Sequence, residues 1–136
     1  MSAAGPHRLL VYDPGHFHAA LLFFRRNARV DRTVHVYAPP GPEVEAFCAM
    51  LQGFAERADE PTDWQVVRHV GGDALDRLIA ERRGETVVLA GRNGARLALM
   101  RRLHDAGFHV LADKPWLTDV SQIADLEAVT AGPPLA

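Results

Sequence analysis

The most constraining feature of this chain is a repeated alternation. Five short runs rich in Val, Leu and Ala each lead into a longer stretch with helical spacing of apolar residues, all within 136 residues. Residues 8–12, 33–37, 64–68, 86–90 and 108–112 read as strands, with 64–68 the weakest of them. A helix is expected over residues 16–27, with Phe17, Ala20, Leu21 and Phe24 inward and Arg25 and Arg26 in its last turn. A second begins at Pro42, a residue suited to a first helical position, with Glu43 and Glu45 in the first turn. Val44, Phe47, Leu51 and Phe54 give that helix one apolar face. Asp73 and Gly84 bracket a third, over residues 74–83, as N-cap and C-terminal stop. A fourth runs to Ala106, with Leu99, Met100 and Leu103 inward and Gly107 as its stop. Thr118 caps a fifth that bears Val120, Ile123, Leu126 and Val129.

Strands that are each followed by a helix imply parallel pairing with right-handed crossovers. Near-continuous apolar strands imply a sheet covered on both faces. The expected fold is therefore α/β: a doubly wound parallel sheet in a single domain over residues 1–130. Residues 131–136, which contain Gly132-Pro133-Pro134, read as a linker stub toward an absent C-terminal domain. In such sheets ligands bind beyond the carboxyl ends of the strands. That rule selects Asp13–His18, Ala38–Gly41, His69–Gly72, Gly91–Gly94 and Asp113–Trp116.

Composition narrows the class. Hydrophobic residues make up 48% of the chain and charged residues 24%, enough for one ordinary core. A (β/α)8 barrel needs about 200 residues or more, which this length excludes. A net charge of −2 argues against nucleic acid or an anionic membrane as the main partner. The longest apolar run, Ala19 to Phe24, is far below the roughly 18 residues of a membrane span. The opening residues carry no secretory signal pattern. A single cysteine, Cys48, leaves no internal disulfide and no multi-cysteine zinc site. A soluble cytoplasmic protein is the expectation; its oligomeric state is not legible.

The first strand-to-helix turn is the natural phosphate site, because a helix N-terminus presents free N–H groups. A dinucleotide fingerprint would place glycines at positions 13, 15 and 18. Here Asp13, Gly15 and His18 stand there, so only Gly15 matches, at the position where bare backbone approaches a pyrophosphate. The second strand ends in Tyr37-Ala38-Pro39-Pro40, with no acid for ribose hydroxyls and no arginine for a 2′-phosphate. NAD and NADP are therefore both open. Asp13, Pro14, Gly15, His16 and Phe17 form the candidate cofactor turn. Gly91, Arg92 and Asn93 join them from the fourth strand, and Asp113, Lys114 and Pro115 from the fifth. Trp116 shields the site or packs beside it.

His16-Phe17-His18 also invites a metal, with Asp13 as a third donor. Asp13 to His18 resembles the His-x-His stretch of amidohydrolase barrels, over six residues only. A helix starting at His16 would point the two imidazoles about 200° apart. A metal-dependent hydrolase using His16 and His18 is thus a remote alternative, and no metal is assigned.

The later strand ends carry the sharper signal. Val87-Val88-Leu89-Ala90-Gly91-Arg92-Asn93 leads to His104-Asp105-Ala106-Gly107 and on through a strand into Asp113-Lys114-Pro115. This resembles the glucose-fructose oxidoreductase / inositol dehydrogenase (Gfo/Idh/MocA) family, in which a His-x-Ala-Gly-like helix end precedes a strand running into Glu-Lys-Pro. The opening turn departs from the family's Gly-rich pattern, as in a divergent branch. The resemblance spans the family's N-terminal, Rossmann-like NAD(P)-binding domain. It implies an oxidoreductase acting on a sugar, polyol or related hydroxyl compound, with NAD or NADP as cofactor. It further implies that Lys114 is catalytic, donating to the nicotinamide ribose or substrate hydroxyl and holding an alkoxide as hydride leaves. Pro115 biases Lys114 toward extended backbone at a strand's carboxyl end. In the family a C-terminal domain supplies the substrate pocket, so this chain alone is expected to bind cofactor without turnover. The competing reading is a non-catalytic nucleotide-binding or interaction module.

Overall fold

The computed structural model describes residues 5–91, 96–113 and 120–130, apart from the side chains of residues 125 and 130. Five strands form one all-parallel sheet: β1 (Leu9–Tyr12), β2 (Thr33–Ala38), β3 (Gln65–Val70), β4 (Thr86–Leu89) and β5 (His109–Ala112), in the order β3-β2-β1-β4-β5. Leu10 lies opposite His35 on one side and Val87 on the other, so β1 is the central strand. Five α-helices connect or follow them: α1 (His18–Leu21), α2 (Pro42–Glu56), α3 (Ala74–Glu81), α4 (Arg96–Asp105) and α5 (Ile123–Thr130). A 3-10 turn over Val120–Gln122 leads into α5.

Side-chain alternation along the strands divides the core into two layers. On one face Val11, Val34, Val36 and Val88 pack under α1 and α2, with Ala20, Val44, Phe47 and Leu51. On the other, Leu10, Tyr37, Val87 and Leu89 pack under α3 and α4, with Leu78, Leu97, Met100 and Leu103; Leu126 and Val129 of α5 join this layer. The doubly wound α/β fold expected from the alternation is the fold observed. The tertiary context overrides several local expectations. The helix expected over residues 16–27 is a single α-helical turn set among tight turns. Backbone bonds there run from Ala19 to His16, Ala20 to Phe17, Phe23 to Ala20 and Phe24 to Leu21, all one residue shorter than α-helical bonds. The inward set shifts accordingly. Phe23 is fully buried, with ring edges on Phe47 and Trp64, whereas Phe17, Leu21 and Phe24 are exposed. Arg26 leaves any helix end to donate to Asp63 at 2.7 Å and lie over the Trp64 ring.

The end of α3 is a second correction. Arg82, not Gly84, takes the left-handed conformation (φ 50°, ψ 51°) and returns its N–H to the Leu78 carbonyl. Gly84 serves two residues later, where a Cβ would lie 2.6 Å from the Arg8 carbonyl oxygen. Asp73 precedes α3 as expected, without a capping bond from its side chain. Val120, in the 3-10 turn, and Ile123, at the start of α5, are exposed rather than inward. Thr118 and the tail 131–136 lie outside the described residues.

Tyr37 carries its hydroxyl out of the second layer to donate to Glu81 Oε1 at 2.7 Å. That bond, with the Arg83 and Arg77 guanidinium groups, draws the Glu81 carboxyl down to about 2. Burial and then Glu81 push the Tyr37 phenol up to about 12. His69 stacks on the Tyr37 ring at 4.3 Å. Its Nδ1 faces Arg77, which can only donate, so His69 Nε2 carries the proton offered to His35 Nδ1 at 3.0 Å.

Candidate functional site

Parallel pairing puts every strand's carboxyl end at one edge, and the order reverses direction between β1 and β4. The loop after β1 stands at that reversal. Its shape starts at Asp13, which adopts φ 46°, the left-handed region that a short polar side chain tolerates better than most. Asp13 thus supplies the sharp turn that the fingerprint assigns to a glycine, and Gly15 N–H closes it on the Asp13 carbonyl at 2.8 Å. The turn is tied to its neighbours: Asp13 N–H donates to Tyr37 of β2. Gly91, just beyond β4, passes so close that a Cβ there would lie 2.6 Å from the Asp13 carbonyl oxygen. Of the expected site residues, Asp13, Pro14, Gly15, His16, Phe17, Gly91 and Asp113 therefore share this edge. Arg92, Asn93, Lys114, Pro115 and Trp116 lie outside the described residues.

Asp113 does not simply pair along its own strand end. Its Oδ2 lies 2.8 Å from His18 Nδ1 and 3.6 Å from His16 Nδ1. The expectation that the two imidazoles diverge by about 200° is overturned. Helix α1 starts at His18 rather than His16, so the rings meet at 4.1 Å between centroids and turn to the same carboxylate. The carboxylate beside the two imidazoles is Asp113, not Asp13. His16 Nδ1 also accepts the His18 backbone N–H at 3.3 Å, a turn bond consistent with its place in the loop. The side chains of His16 and His18 are 45% and 41% exposed and that of Asp113 is 21% exposed, so the cluster opens to solvent.

A buried arginine holds the frame. Arg96, in the first turn of α4, is only 3% exposed. A cation is unfavourable at a helix N-terminus; this one reaches past it, donating to the carbonyls of Gly91 and Asp113 and so tying the ends of β4 and β5 together. No local signal marks it, since the two carbonyls it serves lie at the ends of different strands. Tyr12, ending β1, is held above the usual phenol range by burial and then by Asp13.

Two cavities flank the β1–α1 turn. One of about 320 Å3 lies on the β2 side, lined by Asp13, Gly15, Pro39, Pro40 and Glu43. The other, about 210 Å3, lies on the β4–β5 side, where His18, Leu22, Ala90, Leu111 and Asp113 are among its walls. A third, of about 280 Å3, runs from Gly15 and Phe17 under the first half of α2. Glu43, in the first turn of α2, brings a carboxylate to the wall of the β2-side cavity.

No protein-family profile and no curated protein matches the chain. Solved structures do. A protein from Parabacteroides merdae, provisionally designated an oxidoreductase, superposes with a TM-score of 0.91 at 37% identity over 95% of this chain. A biliverdin reductase from Synechocystis sp. PCC 6803, solved with biliverdin and NADP+, superposes with a TM-score of 0.64 at 16% identity over 93% of the chain. The chain spans 29% of the first protein and 35% of the second. The fold it shares with them is a single Rossmann-like α/β sheet.

Proposed function

We propose that this chain is the nucleotide-binding part of a nicotinamide-dependent oxidoreductase of the Gfo/Idh/MocA type. The reaction is hydride transfer between the cofactor and a sugar, polyol or related hydroxyl compound. The observation that carries this reading is the pair of cavities on either side of the β1–α1 turn, at the point where strand order reverses. A dinucleotide lies across such a turn with its pyrophosphate over Gly15, its adenosine on the β2 side and its nicotinamide toward β4 and β5. The provisional oxidoreductase at 37% identity and the NADP+ bound by the biliverdin reductase support the same class.

The β2-side cavity favours NAD over NADP. Two carboxylates, Asp13 and Glu43, stand among its walls, and none of its described lining residues is a cation. Carboxylates accept ribose hydroxyls and repel a 2′-phosphate. Lys114 and Pro115 remain the sequence-based candidates for the catalytic end. When bound, the nicotinamide would accept or release the hydride; Lys114 would donate to the substrate oxygen and steady it as an alkoxide while a base of the substrate pocket takes the hydroxyl proton. The chain spans about a third of each solved protein it matches, and in this reading the substrate pocket lies outside residues 1–130. We place the protein in the cytoplasm, in keeping with its lone cysteine. Among the described residues no helix is long and apolar enough to cross a membrane.

Titration with NADH and NADPH, followed by calorimetry and by Trp64 and Trp116 fluorescence, tests this reading. Saturable binding is expected for both, tighter for NADH, and Gly15→Val should abolish it by keeping backbone away from the pyrophosphate. No saturable signal with either cofactor up to millimolar concentration refutes it.

A further inference from the structure

We propose that His16, His18 and Asp113 form a binding site for one divalent transition-metal ion at the wall of the β4–β5 cavity. The three side chains each offer a donor atom, and those atoms lie within 4.8 Å of one another. A tetrahedral ion with bonds of about 2.0–2.1 Å spaces its ligand atoms roughly 3.3–3.4 Å apart. The two Nδ1-to-Oδ2 separations, 2.8 and 3.6 Å, bracket that spacing, and the His16 Nδ1 lone pair, which accepts the His18 N–H in this structure, turns to the ion when it binds. Two imidazole nitrogens and one carboxylate suit zinc, manganese or ferrous iron better than magnesium or calcium, which prefer oxygen throughout.

The donors sit on a rigid frame. Asp113 follows β5, with its N–H on the Leu89 carbonyl and its own carbonyl held by buried Arg96. His16 and His18 sit on a turn closed by the Ala19 bond to the His16 carbonyl and the Gly15 bond to the Asp13 carbonyl. Three protein ligands leave at least one coordination position for water or an oxygen donor of a bound molecule, as at catalytic rather than structural sites. His18 and Asp113 line the 210 Å3 cavity, so that position opens where a small hydroxyl or carboxylate compound has room. The site shares His16, Asp113 and the β4–β5 side with the proposed dinucleotide, but it rests on its own donor geometry and needs neither Gly15 nor Glu43.

The test uses the 136-residue chain stripped with a chelator. Calorimetric titration with zinc chloride should give one site per chain, and cobalt chloride should give visible absorption bands of a four- or five-coordinate ion. His18→Gln and Asp113→Asn should each weaken zinc by at least about tenfold, with unchanged circular dichroism. His69→Gln, which removes a member of the other close histidine pair, should leave zinc binding as it was. Should the site variants fail to fold, cobalt-induced shifts of the His16 and His18 imidazole resonances in the parent chain read the site directly. No stoichiometric binding at micromolar zinc overturns the proposal. So does binding that persists in His18→Gln and disappears in His69→Gln. NADH titration in chelator separates the two ideas: cofactor binding without zinc binding defeats only the metal site, and zinc binding without cofactor binding defeats only the dinucleotide reading.

Discussion

Adjacent phenylalanines on the first crossover have opposite fates, and exchanging each for alanine measures how that segment folds. Phe23 is fully buried, meets Phe47 and Trp64 edge to face, and offers its carbonyl to the Trp64 indole N–H at 2.8 Å. Phe24 is 44% exposed, touching Phe54 and the Arg57 guanidinium. Removing a buried ring loses its transfer free energy and leaves a cavity, about 3–5 kcal/mol for Phe→Ala in a core. The half-exposed ring loses roughly half its burial and one cation–π contact, about 1 kcal/mol. The two variants should thus differ by about 3 kcal/mol, or roughly 10 °C in Tm for a domain of this size. Urea unfolding followed by circular dichroism, with Trp64 fluorescence as a second probe, gives both values. A continuous helix over residues 16–27 with Phe24 inward predicts the reverse order. Phe24→Ala proving as damaging as Phe23→Ala would refute the tight-turn geometry described above.

Other expectations follow from the site and its supports. Arg96→Met keeps the aliphatic packing but drops two charge-assisted hydrogen bonds; partly offset by relief of a buried charge, the net loss should be about 2–3 kcal/mol in urea melts. Arg96→Lys should not restore it, since one ammonium cannot reproduce the guanidinium fork on two carbonyls. Gly91→Ala drives a methyl into the Asp13 carbonyl; an overpacking loss of about 1–3 kcal/mol should appear in thermal melts, together with weaker NADH binding. Glu81 titrates lower in the folded chain than its ordinary 4.5, so its contribution is complete above pH 4.5 and is lost as pH falls toward 2. Tyr37→Phe removes the largest cause, and its acid-unfolding curve should be flatter than the parent's across that window. His35 and His69 are both held below the usual imidazole range, chiefly by burial. Their contribution is likewise lost as pH falls below 6.5, and His69→Gln should flatten the parent's stability profile there. On the proposed oxidoreductase reading, Lys114→Ala should leave folding intact and depress turnover; unchanged kcat would remove Lys114 from catalysis.

Local signals in the chain carried the architecture. Apolar runs at strand spacing, Pro42 at a helix start and Gly107 after α4 act on their immediate neighbours, and each falls where expected. The carboxyl-edge segments were legible for the same reason, since parallel pairing sends every strand end to one side. Local signals failed where a distant contact decided the outcome. The period of residues 16–27 suits a helix with Phe24 inward, yet the space beneath α1 is shaped by Phe47 and Trp64, and Phe23 fills it. Gly84 looks like a helix stop, but the approach of the Arg8 backbone is what requires it. The candidate site divides along the same line. Asp13, Gly15 and the two histidines are close in sequence and could be flagged together. Asp113 meets His18 across 95 positions because strand order places the ends of β1, β4 and β5 side by side. Which acid serves those imidazoles, and which arginine braces it, depends on that order, a long-range property that no local spacing encodes.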